Sequence, residues 1–230
     1  MIVFTHVPKT SGTSFRKSLI EPNFPAVRIY RFHGLRALAR DRRPGRSFVW
    51  GHVPYGIHPL LGREARYVTF LRDPIDRAVS YYYFVQDSDP ALYRHPARAD
   101  AETLSIADFY RLRKYQNWQA RFLAGLHDHY LYPRVPTAAL DGLIVRRARA
   151  NLLTRYAGFG LQERFGESLD ILQERLALRD RVKTPAQKRT GRRPEVAALD
   201  AATHAALRQA NRLDCELYEF ALAGFEGQLG

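Results

Sequence analysis

Thr5-His-Val-Pro-Lys-Thr-Ser-Gly-Thr-Ser-Phe-Arg16 follows a short apolar run at residues 2–4 of this 230-residue chain. The apolar run is typical of a buried strand, and the polar segment after it of a tight turn that opens a helix. Such a turn directs free backbone N–H groups and the positive end of the helix dipole at an anion. Gly12 permits close approach of the backbone, and Lys9 supplies a mobile charge. The segment therefore predicts a phosphate cradle at the end of the first strand of an α/β sheet.

The cradle does not have the spacing of a nucleoside triphosphatase. A Walker loop places Lys directly after its last Gly, whereas Lys9 precedes Gly12. A polar turn without a ligand is the alternative for this segment taken alone. The residues predicted to contact the anion are Pro8, Lys9, Thr10, Ser11, Gly12, Thr13 and Ser14.

A second strand-to-helix turn follows the β-branched and aromatic run at residues 67–71. Pro74 fits the first position of the next helix, and Asp73 fits its cap. Arg72 then lies at the carboxyl end of a parallel strand, where ligands of open sheets bind, and Ser80 lies on the helix that follows. An Arg fork and a hydroxyl suit a second phosphate. The alternative is an ion pair between Arg72 and Asp76 that only closes the turn.

These two segments resemble motifs of sulfotransferases that use 3′-phosphoadenosine 5′-phosphosulfate (PAPS). His6-Val-Pro-Lys-Thr-Ser-Gly-Thr-Ser-Phe15 is similar to their 5′-phosphosulfate loop, and Phe70-Leu-Arg-Asp-Pro-Ile-Asp-Arg-Ala-Val-Ser80 to their 3′-phosphate segment. Gly51-His-Val53, Tyr81-Tyr-Tyr-Phe84, Tyr93-Arg94 and Arg98 resemble stretches of uronyl 2-O-sulfotransferases. The likeness to carbohydrate sulfotransferases continues through residues 119–125 and 217–221.

The resemblance implies roles for individual residues. His52 matches the segment that carries the catalytic base, and an imidazole has a pKa suited to accepting a proton at neutral pH. Lys9 would stabilise charge on the transferred group, with His6 orienting the loop and His58 as a second candidate base. A late basic loop would cover the nucleotide through Lys188 and Arg189. The acceptor would contact Tyr81, Tyr82, Arg94 and Arg98, although a helix-core role is the alternative for the two tyrosines.

Two departures from the uronyl 2-O-sulfotransferases leave the acceptor and its hydroxyl open. The chain lacks their disulfide-forming cysteines, and Trp50 stands where a second His usually precedes the Gly.

The charge balance indicates an anionic partner. Lys and Arg number 36 against 23 Asp and Glu, a formal net charge of +13. Charge alone fits nucleic acid, an anionic membrane face or an acidic polysaccharide. The resemblance selects an acidic, uronate-containing saccharide and no nucleic acid.

The single cysteine, Cys215, excludes an internal disulfide framework and favours a reducing compartment. No apolar stretch approaches the roughly 20 residues of a membrane span, and no charged leader precedes the first strand. We therefore expect a cytoplasmic enzyme of bacterial type. His127-Asp-His129 has a spacing that suits a metal, but no Cys or carboxylate cluster accompanies it, so no metal site is predicted.

The alternation of segments predicts an α/β fold: one domain over residues 1–230, with a central parallel sheet flanked by helices, like the P-loop-like sulfotransferase fold. Strands are predicted near residues 2–5, 27–30, 47–51, 67–71 and 156–160, and helices near 13–19, 34–40, 75–85, 106–126, 143–155, 167–178 and 200–223. Three functions compete: a PAPS-dependent sulfotransferase acting on an acidic saccharide, a P-loop-like kinase using ATP, and a non-catalytic polyanion-binding module. The chain lacks the Gly-Lys-Ser/Thr signature of a P-loop kinase, and a non-catalytic binding module would leave the two motifs unexplained.

Overall fold

A central sheet of five parallel strands organises the computed structural model, which describes residues 1–40, 45–62, 64–135, 138–183 and 193–229. The strands are β1 (Ile2–Thr5), β2 (Ile29–Arg31), β3 (Phe48–Gly51), β4 (Arg66–Leu71) and β5 (Tyr156–Leu161). Their order across the sheet is β2-β3-β1-β4-β5, and each neighbouring pair is parallel. The predicted α/β class and parallel sheet are confirmed.

The central strands are buried on both faces, as the absence of alternation in their sequences predicts. Val3 lies between Val49 on β3 and Tyr67 on β4. Side chains then divide by the strand period: Val3 and Val49 face one core cluster, whereas Phe4 and Phe48 face the other. The sheet is therefore a packed middle layer with helices on both sides.

The described helices are α1 (Gly12–Phe15), α2 (Leu35–Arg40), α3 (His58–Leu61), α4 (Pro74–Asp87), α5 (Arg98–Thr103), α6 (Ile106–Arg111), α7 (Trp118–Ala124), α8 (Leu126–Leu131), α9 (Ala138–Thr154), α10 (Phe165–Arg175), α11 (Ala201–Ala210) and α12 (Arg212–Leu229). A π-helical turn, Arg16–Ile20, continues α1. Short 3₁₀ turns lie at Ala26–Arg28, Arg113–Tyr115, Gln162–Arg164 and Val196–Ala198. No helix in these described ranges is long and apolar enough to cross a membrane.

Two predicted long helices are wrong in their continuity. The segment predicted at 106–126 is interrupted after Arg111, where α6 ends, and α7 starts directly after Asn117, whose φ of 53° is left-handed. The segment predicted at 200–223 is divided at Asn211, where α11 ends and α12 begins. Helices α3 and α5 were not predicted. In the two segments predicted as long helices, the apolar residues keep a helical spacing across the break, so periodicity alone does not reveal where the helix is interrupted.

Three core clusters hold the layers together. Helices α7, α9 and α12 pack on the Val3 face, and α1 and α10 pack mainly on the Phe4 face. The third cluster joins α4, α5, α6 and α11, and Cys215 of α12 is buried in it. This third cluster supports α4, the helix that follows Arg72.

Candidate active site

The strand order brings three sequence motifs to one edge of the sheet. β1 lies between β3 and β4, so the cradle after β1 lies beside His52 after β3 and Arg72 after β4. A cleft of about 1380 Å³ opens over these strand ends. Among its lining residues are Pro8, Lys9, Ser11, Gly12, Thr13, Ser14, Arg31, Trp50, Gly51, His52, Arg72, Asp73, Asp76, Ser80, Phe84, Glu163 and Arg193.

The cradle is a left-handed turn that leads into α1. Lys9 and Ser11 have positive φ values of 70° and 59°. Ser11 occupies the N-cap position without a side-chain cap, so its helix begins with uncapped N–H groups at the cleft. Two left-handed non-glycine residues in one short turn are costly, and such strain persists at sites that use it.

Gly12 is required by a close contact. A Cβ at this position would lie 2.2 Å from the ring of His6. The backbone of the cradle at Gly12 therefore packs directly against the imidazole of His6. Thr10 differs from the prediction: its side chain is buried and its hydroxyl donates to the carbonyl of Val7 at 2.8 Å, so the hydroxyl braces the loop instead of facing an anion.

The ammonium of Lys9 lies near other positive charges. Burial, together with Arg72 and Arg193, lowers the pKa of Lys9 to about 8. Its ammonium lies 4.3 Å from the ring centroid of Phe84, a cation–π contact, and within the described residues it forms no ion pair with a carboxylate. This cluster of positive charge would be relieved by a bound anion.

The tautomer of His52 is fixed by a backbone contact. Its Nδ1 lies 2.9 Å from the carbonyl oxygen of His6, which can only accept, so Nδ1 carries the proton and Nε2 keeps its lone pair. The ring is accessible from the cleft, yet surrounding protein and the charge of Arg31 lower its pKa. Gly51, with a φ of 137°, directs the chain into His52. A neutral imidazole with a free Nε2 is the form that a general base needs.

Arg72 joins the cradle to α4. Its guanidinium donates to the carbonyl of Lys9 at 3.1 Å and to Asp76 at 2.7 Å. Asp76 also pairs with Arg193. The ion pair weighed as an alternative for Arg72 is thus present, in a cleft that Arg72, Arg193 and the buried Ser80 all line. As predicted, Asp73 caps α4 by accepting from the N–H groups of Ile75 and Asp76.

The late loop is only partly described. Lys188 and Arg189 lie outside the described residues. Arg193, from the same basic run, lines the cleft and was not singled out from the sequence. The amino-acid sequence of this segment has no helical or strand period, so nothing in it distinguishes one basic residue from another.

The predicted acceptor residues divide between core and surface. Tyr81 and Tyr82 are buried in the third core cluster, and the hydroxyl of Tyr82 donates to the carbonyl of Leu104 at 2.7 Å. Helix core, the alternative for this pair, describes both side chains because α5 and α6 cover that face of α4. Arg94 is exposed. Arg98 is bound to Glu102 at 2.6 Å and to the carbonyl of Ser88, so it shapes the turn before α5.

Aromatic side chains of the cleft were also missed from the sequence. Phe84, next to the buried tyrosines, is 40% exposed and lies beneath the Lys9 ammonium. The ring of Trp50 makes cation–π contacts with the guanidinium groups of Arg16 and Arg31, at 4.7 and 5.3 Å from its centroid. Trp50 was noted only as a departure from the resembled pattern, which was the available signal.

The other histidines considered in the sequence analysis, His58, His127 and His129, do not line the cleft. His58 contacts the hydroxyl of Tyr67, through both its backbone N–H and its ring, and does not line the cleft. In the His127-Asp-His129 segment, Asp128 accepts both contacts from Arg147, at 2.7 and 2.9 Å. Among the described residues no group of three or more His, Cys, Asp or Glu is arranged to hold a metal ion.

Comparisons with known proteins find sulfotransferases. Heparan sulfate 2-O-sulfotransferase 1 of Xenopus laevis is 28% identical over 98% of this chain and 70% of its own length, and that of Mus musculus is 26% identical over the same shares. Mouse sulfotransferase SULT7A1 complexed with adenosine 3′,5′-bisphosphate (PAP) aligns over 94% of this chain and 66% of its own, with a TM-score of 0.44 and 14% identity. At that distance the fold assignment rests on the sheet described above.

The sequence profile of the galactose-3-O-sulfotransferase family matches residues 53–229, most of the chain. The match begins just after His52 and includes Arg72, Ser80 and the helices that support them. The chain therefore belongs to the galactose-3-O-sulfotransferase family, within the carbohydrate sulfotransferases that its two motifs resemble.

Proposed function

We propose that this protein transfers a sulfuryl group from PAPS to a hydroxyl of an acidic, uronate-containing saccharide. The observation that carries the proposal is the meeting of three groups on adjacent strand ends: the cationic cradle at Lys9, the Arg72 and Ser80 pair, and the Nε2 lone pair of His52. An anion-binding cleft with a neutral base at its floor is suited to group transfer onto a hydroxyl.

The residues of the cleft fit a bisphosphorylated nucleotide. The uncapped N–H groups of α1 and the Lys9 ammonium suit the 5′-phosphosulfate, and Arg72, Ser80 and Arg193 suit the 3′-phosphate. The charge cluster around Lys9 supports this fit, because three cations face a cleft in which Asp76 pairs with two of them. When bound, PAPS supplies an activated sulfuryl group.

The chain's own residues then position the reacting groups, neutralise the developing negative charge and accept the proton of the hydroxyl. His52 Nε2 takes the proton of the acceptor hydroxyl while its Nδ1–H stays on the carbonyl of His6. Lys9 places positive charge where negative charge develops on the leaving phosphate oxygen. The transition state is expected to be loose, as in phosphoryl transfer, so positioning and charge contribute most.

Three of the carboxylates that line the cleft, Asp73, Asp76 and Glu163, favour this donor over magnesium ATP. Asp73 caps α4, and Asp76 binds Arg72 and Arg193. Glu163 accepts from the N–H of Asp73 at 2.8 Å and from the hydroxyl of Tyr218 at 2.9 Å. These three acids bind groups of the protein itself, so they are not arranged to hold a magnesium ion.

Calorimetric titration with PAP, AMP and magnesium ATP tests the donor. We expect PAP to bind at least about 10-fold more tightly than AMP, since a charge-assisted contact to the 3′-phosphate is worth about 1.5–3 kcal/mol. Arg72→Ala should remove most of this preference, whereas Arg146→Ala, a change to an exposed arginine on α9, should not. Equal binding of PAP and AMP by the parent protein would exclude the donor assignment.

The acidic acceptor is supported by charge and by location. Arg94 is exposed, and the neighbouring ring of His95 packs edge-on against Phe84 of the cleft, at 6.0 Å between centroids. The turn that carries Arg94 therefore borders the cleft. The relatives named above act on heparan sulfate, an acidic polysaccharide, and the formal net charge of +13 suits such a polymer.

A second acceptor is favoured by the family match, whose name specifies the 3-hydroxyl of galactose. Labelled sulfate from PAPS should be offered to de-2-O-sulfated heparin and to lactose, at low and at physiological salt. We expect label on the uronate polymer and a rise of its KM with salt, because exposed charges are screened over about 8–10 Å. Arg94→Ala should raise that KM, with Arg146→Ala as the matched control. Label on lactose alone, unaffected by Arg94→Ala, would select the galactose acceptor.

A further inference from the structure

The backbone of Arg72 is held by a buried amide. Gln119, fully buried in α7, donates from Nε2 to the carbonyl of Arg72 at 2.9 Å and accepts from its N–H at Oε1, also at 2.9 Å. The ladder between β4 and β5 ends at Leu71, one residue earlier. Gln119 therefore does for Arg72 what a neighbouring strand does for the rest of β4.

Gln119 is itself fixed by α12. The carboxylate of Asp214 accepts from the backbone N–H groups of Gln119 at 3.2 Å and Ala120 at 2.8 Å, which caps α7. In return, the side chain of Asn117 accepts from the N–H groups of Leu213 at 3.0 Å and Asp214 at 3.3 Å, which caps α12. Each helix supplies the cap of the other, so the position of Gln119 is set by two elements far apart in sequence.

The same carboxylate faces α4. Arg77, fully buried and one helical turn before Ser80, places its Nε 3.9 Å from Asp214. Across the described ranges its guanidinium nitrogens make no hydrogen bond of good geometry, and the carboxylate of Asp214 lies close enough to compensate its charge. The two residues assigned to the 3′-phosphate are thus connected to one buried cluster, Arg72 through its backbone and Ser80 through the helical turn that it shares with Arg77.

We propose that Gln119 is a positioning residue for the 3′-phosphate site: it sets where the Arg72 guanidinium lies and so determines how well PAP is distinguished from AMP. The inference rests on the proposed function. The guanidinium of Arg72 binds both Asp76 and the carbonyl of Lys9. A shift of the Arg72 backbone would therefore displace these charged groups of the cleft.

The test compares affinities for PAP and AMP in Gln119→Ala, in Gln119→Glu and in the parent protein. Gln119→Glu keeps the shape but, when ionised, cannot donate to the carbonyl of Arg72. We expect both variants to lower the PAP-to-AMP affinity ratio by about 10-fold or more, since displaced charge-assisted contacts are worth at least that much.

Gln116→Ala is the matched control. The side chain of Gln116, just before α7, also binds a backbone group: it donates to the carbonyl of Tyr110 at 2.7 Å. It does not contact Arg72. It should leave the affinity ratio unchanged even if it lowers Tm. Titrations run at low temperature, after circular dichroism shows native helix content, and Gln119→Glu serves if Gln119→Ala does not fold.

The outcomes separate the two proposals. A parent protein without preference for PAP would overturn the proposed function. A parent with that preference, and a folded Gln119→Ala or Gln119→Glu that keeps it, would overturn the positioning role alone.

Discussion

Replacing Lys9 by Met is expected to stabilise the nucleotide-free protein while it abolishes function. Burial and two neighbouring arginines lower the pKa of Lys9 from 10.5 to about 8. The protonated form is therefore disfavoured in the folded state. Met keeps the length of the side chain and removes the charge, and at a φ of 70° it carries the same backbone strain as Lys.

The size of the effect follows from that pKa. At about 1.36 kcal/mol per pKa unit, the charge costs at most about 3 kcal/mol of folding free energy at pH 7. Partial exposure reduces this figure, and loss of the contact with Phe84 subtracts about 0.5–1 kcal/mol. A net gain of about 1–2 kcal/mol corresponds to a Tm rise of about 2–8 °C for a chain of this size.

The pH dependence gives the assay its internal check. Because the folded pKa lies below the unfolded one, the penalty in the parent is complete below pH 8 and fades as pH rises from 8 to 10.5. Differential scanning fluorimetry from pH 7 to 10, in buffer free of phosphate and sulfate, should show the Tm gap narrowing.

Lys17→Met, a change to an exposed lysine in the π-helical turn after α1, is the control and should leave Tm nearly unchanged. PAP should stabilise the parent and the control but scarcely Lys9→Met. A Lys9→Met protein that is less stable than the parent by the same amount at every pH would show that Lys9 is an ordinary structural cation.

Further predictions concern the base, the late loop and the pH profile. His52→Ala should bind PAP like the parent and lose transfer by about 10²-fold or more, as removal of a general base does; parent-like transfer would reassign the base. Arg193→Ala should weaken PAP more than AMP in titrations, and an equal loss for both ligands would place Arg193 away from the 3′-phosphate. Activity at saturating donor should rise with pH along a limb that lies below pH 6.5, because the pKa of His52 is lowered; an acid limb above pH 6.5 would contradict the environment described for His52. PAP affinity should fall above pH about 8, as Lys9 loses its proton.

The sheet and the strand-end site could be predicted because they are encoded locally. Each motif couples an apolar strand to a turn with its own capping and charged residues, as at Asp73 and Pro74. Parallel pairing then brings the ends of β1, β3 and β4 together without further information. The predicted fold class and the carbohydrate sulfotransferase family are confirmed, whereas a single domain and a cytoplasmic location stay predictions.

What could not be predicted depends on distant contacts. The helical pattern is interrupted at Asn117 because Asp214 of α12, almost a hundred residues away, caps the start of α7. Tyr81 and Tyr82 face the core, and Phe84 the cleft, because α5 and α6 pack on one side of α4. An aromatic run at helical positions carries no sign of which face will be covered.

Transfer of labelled sulfate from PAPS to de-2-O-sulfated heparin, measured side by side for the parent and His52→Ala with PAP affinity determined for both, tests the central claim most directly. The arrangement of His52 beside the cradle predicts a labelled polymer with the parent, almost none with His52→Ala, and equal PAP affinity. A parent protein that binds PAP no better than AMP and labels neither this polymer nor lactose, or a His52→Ala protein that labels as fast as the parent, would contradict it.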